Sequence, residues 1–351
     1  MRKRTRDAVA RGLAVLAAVA SLALGAAACS SRFPRATTFA AAVRQRPDVT
    51  IVVTDSGLGG LSVVAELAAR LPASGITRSV RIVFVNALLD DAIGYNDLKV
   101  EADKIRVFDA ALEAMEVRYS PDLILVACNT LSVFYDKTLH ARTGHTETVG
   151  IVGLGADLIA RELASRPDAR AVIFATKTTI ESGAHRQLLL EKGIAPDRVV
   201  GEPCHRLAGA IERGAASEET KGYVDRFVGE AVGLLPPGPA PIVASLNCTH
   251  YGYALPLWKE AFARLGRTDV TLLDPNPLMA ELTLKRGGEK HYPSTKVTVE
   301  VVSKVPIGPE VQASLGTLLR TVSPATAGAL KAYRYDPGLF SVKVDPSAVI
   351  R

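Results

Sequence analysis

Two short stretches carry the residues best equipped for chemistry. Leu123-Ile124-Leu125-Val126-Ala127 runs into Cys128-Asn129-Thr130, and Ile242-Val243-Ala244-Ser245-Leu246-Asn247 runs into Cys248-Thr249-His250. Each is an apolar strand ending in a thiol with amide or hydroxyl neighbours, shortly before a helical stretch. A thiol so placed has its thiolate stabilised by the amide donors of the helix N-terminus, and the thiolate is the reactive form. A single buried cysteine is more often a small apolar filler. A pair at equivalent strand ends points instead to two related halves facing each other with one thiol apiece. A third strand ends in Asp55-Ser56-Gly57-Leu58-Gly59-Gly60 before a helix. Its glycines let the backbone turn tightly and come close to a ligand, while Asp55 and Ser56 either serve that ligand or cap the helix. A phosphate loop is disfavoured, because the Lys-Ser/Thr pair is missing and Asp55 would repel phosphate.

The other candidates read more plainly. Cys204, in Glu202-Pro203-Cys204-His205, reads as a packed residue near the site. His140, His145, His185, His205, His250 and His291 are scattered without metal-ligand spacing, so no metal is expected. Gly153-Leu154-Gly155 lacks the third glycine of a dinucleotide fingerprint and reads as a turn.

The elements that must position these residues alternate. Short β-branched runs (50–54, 80–85, 123–127, 149–152, 171–175, 198–201, 242–246 and 270–273) alternate with helical stretches (60–71, 98–115, 131–142, 156–165, 179–192 and 256–265). That order predicts an α/β fold with mostly parallel sheets, whose ligand sits beyond the carboxyl ends of the strands. Residues 295–302 alternate apolar and polar and read as a half-buried edge strand. The run Lys285-Arg286-Gly287-Gly288-Glu289-Lys290 reads as a solvated loop.

With 351 residues, 48% of them hydrophobic, the chain can bury a large core, which excludes a disordered tail protein. Its net charge of +6 comes mostly from the first 28 residues; beyond them 37 Lys+Arg face 35 Asp+Glu. No basic stripe argues for nucleic acid. The N-terminal segment has a basic stretch to Arg11, an apolar run from Leu13 to Leu24, and Gly25-Ala26-Ala27-Ala28 before Cys29. It reads as an export signal too short to span a bilayer comfortably. Cys29 followed by Ser30-Ser31 resembles a bacterial lipoprotein cleavage site, which predicts an exported protein held at the membrane only by a lipid on Cys29.

Together these motifs resemble the cofactor-independent aspartate/glutamate racemase superfamily, and the glutamate racemase branch most closely. The Asp55-Ser56-Gly57-Leu58-Gly59-Gly60-Leu61-Ser62 stretch is similar to its D-S-G-x-G-G-L-[ST] opening, Cys128-Asn129-Thr130 to its C-N-T, and Cys248-Thr249-His250-Tyr251 to its C-T-H-Y. Thr178–Gly183 is similar to its T-I-x-S-G segment. The resemblance spans about residues 50–274. It implies two similar α/β domains with the active site in the cleft between them, and a two-base racemase that uses no cofactor. By that resemblance Cys128 and Cys248 are the bases, Asp55 assists Cys128, and His250 is the proton partner of Cys248. Asp55, Ser56, Tyr95, Asn96, Asn129, Thr130, Thr249 and His250 are expected to hold an amino-acid substrate of the glutamate/aspartate type.

The departures fall on substrate contacts. Gly94-Tyr95-Asn96 stands for the family's P-Y-G loop, the proline after C-T-H-Y is missing, and His185 replaces a tyrosine. The expected division is a signal peptide at 1–28, a linker at 29–48, domain 1 from 49–148 with 256–351, and domain 2 from 149–255. The expected partners are an amino acid and, for assembly, a homodimer. The competing reading is a non-catalytic amino-acid-binding lipoprotein of the same fold. It is disfavoured because a mere binder needs no pair of thiols. A third reading, a decarboxylase or isomerase of the superfamily, is disfavoured because those tend to keep one thiol.

Overall fold

The computed structural model of the protein describes residues 39–350. The signal segment 1–28, Cys29 and the linker as far as residue 38 lie outside the described residues. The end of that linker is not a spacer. Phe39–Gln45 is a helix that buries Phe39, Ala42 and Val43. Those three residues fall at i, i+3 and i+4, the spacing of one helical face, which the interspersed arginines concealed.

Strands β1 (Asp48–Asp55), β2 (Ser79–Asn86), β3 (Leu123–Val126) and β4 (Glu147–Gly150) belong to one sheet. Strands β5 (Arg170–Ala175), β6 (Val199–Pro203), β7 (Ile242–Asn247) and β8 (Val270–Leu273) form a second, and β9 (Lys296–Ser303) and β10 (Arg334–Tyr335) return to the first. The orders are β10-β9-β2-β1-β3-β4 and β6-β5-β7-β8, and every pairing is parallel. The chemistry of the strands explains this. Ile51, Val53, Ile82 and Phe84 pack into one core on one face of the first sheet, while Val52, Val83, Val85 and Ile124 pack into another on the opposite face. A strand covered on both faces reads as a continuous apolar run, as parallel strands do.

Three expectations are corrected. Strand β8 pairs with β7, so the segment beyond 255 that was assigned to the first lobe supplies a strand to the second. Strand β9 is interior to the sheet, paired on both sides, because the two-residue β10 covers its outer side. The expected helix 131–142 breaks into Asn129–Ser132, a 3₁₀ turn at Tyr135–Lys137 and His140–Thr143. There the Asp109 carboxylate accepts from the Leu139 and His140 N–H groups, and Thr138 Oγ1 accepts from the Ala141 N–H. These side chains restart the chain as a new helix.

Other boundaries shift too. The stretch 179–192 splits into Lys177–Glu181 and Ala184–Glu191 at Gly183, which adopts φ +68°. Gly153 and Gly155 lie inside the helix Val152–Ser165, not in a turn. Lys285 and Arg286 form the last turn of the helix Asn276–Gly287 and pair with Glu281 and Glu147. Among the described residues no helix is long and apolar enough to cross a membrane.

The topology fixes where a ligand can sit. In the first sheet the chain leaves β1 toward β2 on one side and returns to add β3 on the other. In the second it leaves β5 toward β6 and returns to add β7. Connections diverging from neighbouring strands open a crevice at their carboxyl ends. The first crevice is bounded by Asp55 and Cys128, the second by Thr176 and Cys248.

Candidate active site

Asp55 closes β1 and is almost fully buried. Its Oδ2 accepts from the Gly60 N–H at 2.6 Å and from Thr249 Oγ1 at 2.7 Å. One carboxylate oxygen therefore fixes the glycine loop of one lobe and the thiol-bearing loop of the other. The glycines serve that approach. A Cβ on Gly59 would lie 2.3 Å from Thr249 Oγ1 and 2.8 Å from the His250 backbone nitrogen. Only a residue without a side chain lets the two loops meet there.

The two thiols have unlike surroundings. Cys128, buried after β3, has its Sγ 3.1 Å from Ser56 Oγ. Burial and then the charge of Asp55 push its pKa well above that of an ordinary thiol, against the pull of the Ser56 hydrogen bond. Cys248 follows β7, with its Sγ 3.7 Å from His250 Nδ1. His250 Nε2 lies 2.7 Å from Glu212 Oε1, which also accepts from the Leu58 N–H at 2.9 Å. Burial disfavours the His250 cation, but the hydrogen bonds to Cys248 and Glu212 prevail and hold its pKa well above 6.5. For Glu212 burial likewise works against charge, and the bond to His250 prevails to lower its pKa. The His250 imidazolium thus lies beside Cys248, while Cys128 rests as a thiol.

Between the thiols lies a set of polar groups. Thr130 Oγ1 is 2.8 Å from Thr176 Oγ1, which is 3.0 Å from Thr179 Oγ1, so a chain of hydroxyls crosses from one lobe to the other. Asn129 is buried, and neither its amide nitrogen nor its amide oxygen has a partner. Leaving both unpaired is costly unless a ligand engages them. Asn247 is tethered by its Nδ2 to His185 Nε2 at 2.8 Å, and its Oδ1 is unpartnered. Burial draws the His185 pKa down to about 4, so its neutral ring accepts this bond. The amide packs so closely that a Cβ on Gly155 would lie 2.4 Å from Asn247 Nδ2.

Asp55, Ser56, Asn96, Cys128, Asn129, Thr130, Cys248, Thr249 and His250 thus line one cavity of about 320 Å³. Tyr95 does not. It is 2% exposed in an apolar cluster of the first lobe, so the expectation that it contacts substrate is corrected. Its neighbours Gly94 and Asn96 reach the cavity while its ring serves as the loop's anchor. Cys204 packs with Cys248 in the core of the second lobe. Sequence reasoning missed Glu212, Thr176 and Asn247. Glu212 sits in the helix Leu207–Arg213 with no motif around it. The other two were readable as residues at the carboxyl ends of β5 and β7.

No family model matches the chain. It is 30% identical over 238 residues to the glutamate racemase of Pseudomonas paraeruginosa (strain DSM 24068 / PA7), an alignment covering 65% of the chain and 77% of that enzyme. It is 29% identical over 254 residues to the glutamate racemase of Paracoccus denitrificans (strain Pd 1222), covering 66% and 83%. Among solved structures, the fold is similar to that of glutamate racemase from Francisella tularensis in complex with D-glutamate. The TM-score is 0.59 at 20% identity, over 79% of the chain and 95% of that structure.

Proposed function

The chain belongs to the glutamate racemase family and is an amino-acid racemase, and from that premise we propose that Cys128 and Cys248 are its two bases. One thiolate removes the α-proton, the Cα–H electron pair stays on carbon, and the opposing thiol delivers its own proton to the other face. Nothing is oxidised and the composition of the substrate is unchanged. With D and L interchanged, the thiols exchange roles. Cys248, beside the His250 cation, begins as the base in one direction and Cys128 as the acid. Asn129, Thr130 and Thr249 hold the amino and carboxylate groups, and the closely packed loops keep water from the carbanion. The observation that carries this reading is that both thiols line one cleft, each with its own proton-handling neighbour.

The test is α-proton loss. Full-length, reduced protein in deuterium oxide is expected to erase the Cα proton signal of both enantiomers of its substrate, followed by NMR. Binding of amino acids without exchange of any of them would leave a clamp with no turnover.

We also propose that the protein is exported and anchored through an acylated Cys29, supported by the basic, apolar and small-residue succession ahead of that thiol. Cells fed a radiolabelled fatty acid should label the protein but not its Cys29→Ala variant. Equal labelling of the two would refute the anchor.

A further inference from the structure

The charged groups of the catalytic cleft are mostly acidic. Among the described residues that line it there is no lysine or arginine and the one cation is His250, paired with Glu212, while Asp55, Asp90, Asp91, Asp97 and Glu212 all line it. Asp55 and Glu212 are committed to the Thr249 hydroxyl and to His250. The other three come from one segment, residues 88–97, which lines the cavity together with the thiol-bearing loops.

Several amide donors of that loop are already used. The Gly94 N–H donates to Asp97 Oδ2 at 2.8 Å, the Ala92 N–H to Asp90 Oδ1 at 2.9 Å, and the Leu88 N–H to Asn86 Oδ1 at 3.1 Å. Asn96 Oδ1 accepts from the Thr178 N–H. An anionic side chain entering here would find these backbone donors taken by the chain's own oxygens. The lysines that approach the region are engaged elsewhere: Lys104 Nζ donates to Thr178 Oγ1 at 2.8 Å, and Lys304 Nζ to the Leu89 carbonyl at 2.6 Å. Neither lines the cleft. The orphaned groups add to the picture. Asn129, with both amide atoms free, marks the cleft as built for a ligand, and Asn247 Oδ1 offers one more acceptor.

Resting on the racemase reading, we propose that this cleft takes an amino acid whose side chain ends in a cation, an amino or guanidino group, in preference to a dicarboxylate. Asp90, Asp91 and Asp97 line the same cavity of about 320 Å³ as the reacting groups, and charges act on one another within the screening length of about 8 Å at physiological ionic strength. A cationic tip gains from them, and a carboxylate is repelled at each step of entry. Selectivity is set as much by the repulsion as by the attraction.

The experiment compares α-proton exchange of lysine, ornithine and arginine with that of glutamate and aspartate, using methionine as a neutral reference of similar length. The full-length, reduced protein is used in deuterium oxide. The expected result is a kcat/KM for the cationic acids at least about tenfold above that for glutamate. In Asp91→Asn that ratio should fall several-fold while exchange of methionine holds. Asp91 is exposed, so this variant should fold; Asp97→Asn, which removes the charge and keeps an oxygen to accept from the Gly94 N–H, should shift the ratio the same way. Exchange of glutamate at or above the rate of lysine would overturn the substrate class and leave the racemase intact. Exchange of no amino acid would overturn the racemase reading, and this proposal with it.

Discussion

Cys128→Ala and Cys248→Ala should each lower the rate of racemisation by about three orders of magnitude, the middle of the range for losing a positioned acid or base. The loss should fall on inversion far more than on proton removal. In Cys128→Ala, Cys248 can still take the α-proton from the enantiomer that presents it and, after exchanging with solvent, return deuterium to the same face. That enantiomer should therefore lose its Cα signal without changing hand. In Cys248→Ala the mirror enantiomer should behave this way, more slowly, because Cys128 rests as a thiol in the charge field of Asp55. Chiral chromatography beside NMR separates the two outcomes. Exchange of both enantiomers by one single-thiol variant would contradict a base on each face. Cys→Ser at either site keeps the side chain's size and, with melting unchanged, excludes loss of fold as the cause.

Glu212→Gln should cost roughly ten- to hundredfold in kcat/KM and, more tellingly, move the pH profile. Glu212 and Cys248 together hold the His250 cation against the cost of burial. Without the carboxylate, His250 loses its proton at lower pH, so the basic limb of the profile should move toward acid. Stability should follow the same linkage. A group with a raised folded pKa contributes fully below its unfolded value, here 6.5, and ceases to contribute as pH rises through the folded one. The melting difference between native protein and Glu212→Gln should thus be widest at about pH 6 and close as the solution becomes alkaline. A pH profile identical to that of the native protein would mean that Glu212 only braces the Leu58 N–H.

Much of this site was legible because its residues sit where topology puts ligands. The thiols end apolar strands, and a buried parallel strand announces itself as an unbroken apolar run whose first polar residue marks the crevice. Asp55 could be read in the same way. Glu212 could not, because it stands on the helix Leu207–Arg213 and reaches His250 only through the packing of helix against strand end. Tyr95 misled for the opposite reason. Its motif position suggested contact, but the ring is apolar enough to be drawn into the core of the first lobe, leaving the loop's flanking residues to face the cavity. The exchange of β8 between lobes was hidden because a four-residue strand carries no mark of the sheet it joins.

The contact among Gly155, His185 and Asn247 restricts the order in which this chain can change. A side chain at position 155 would strike the Asn247 amide, and a shorter residue at 247 would leave His185, neutral and buried, without the donor its ring accepts from. Single replacements at 155 or 247 are each penalised, whereas a joint change at 155 and 247 with a new partner for 185 need not be. The three positions are therefore expected to vary as a block. A library randomised at one of them would return few functional members, and one randomised at all three would return combinations that no stepwise walk reaches.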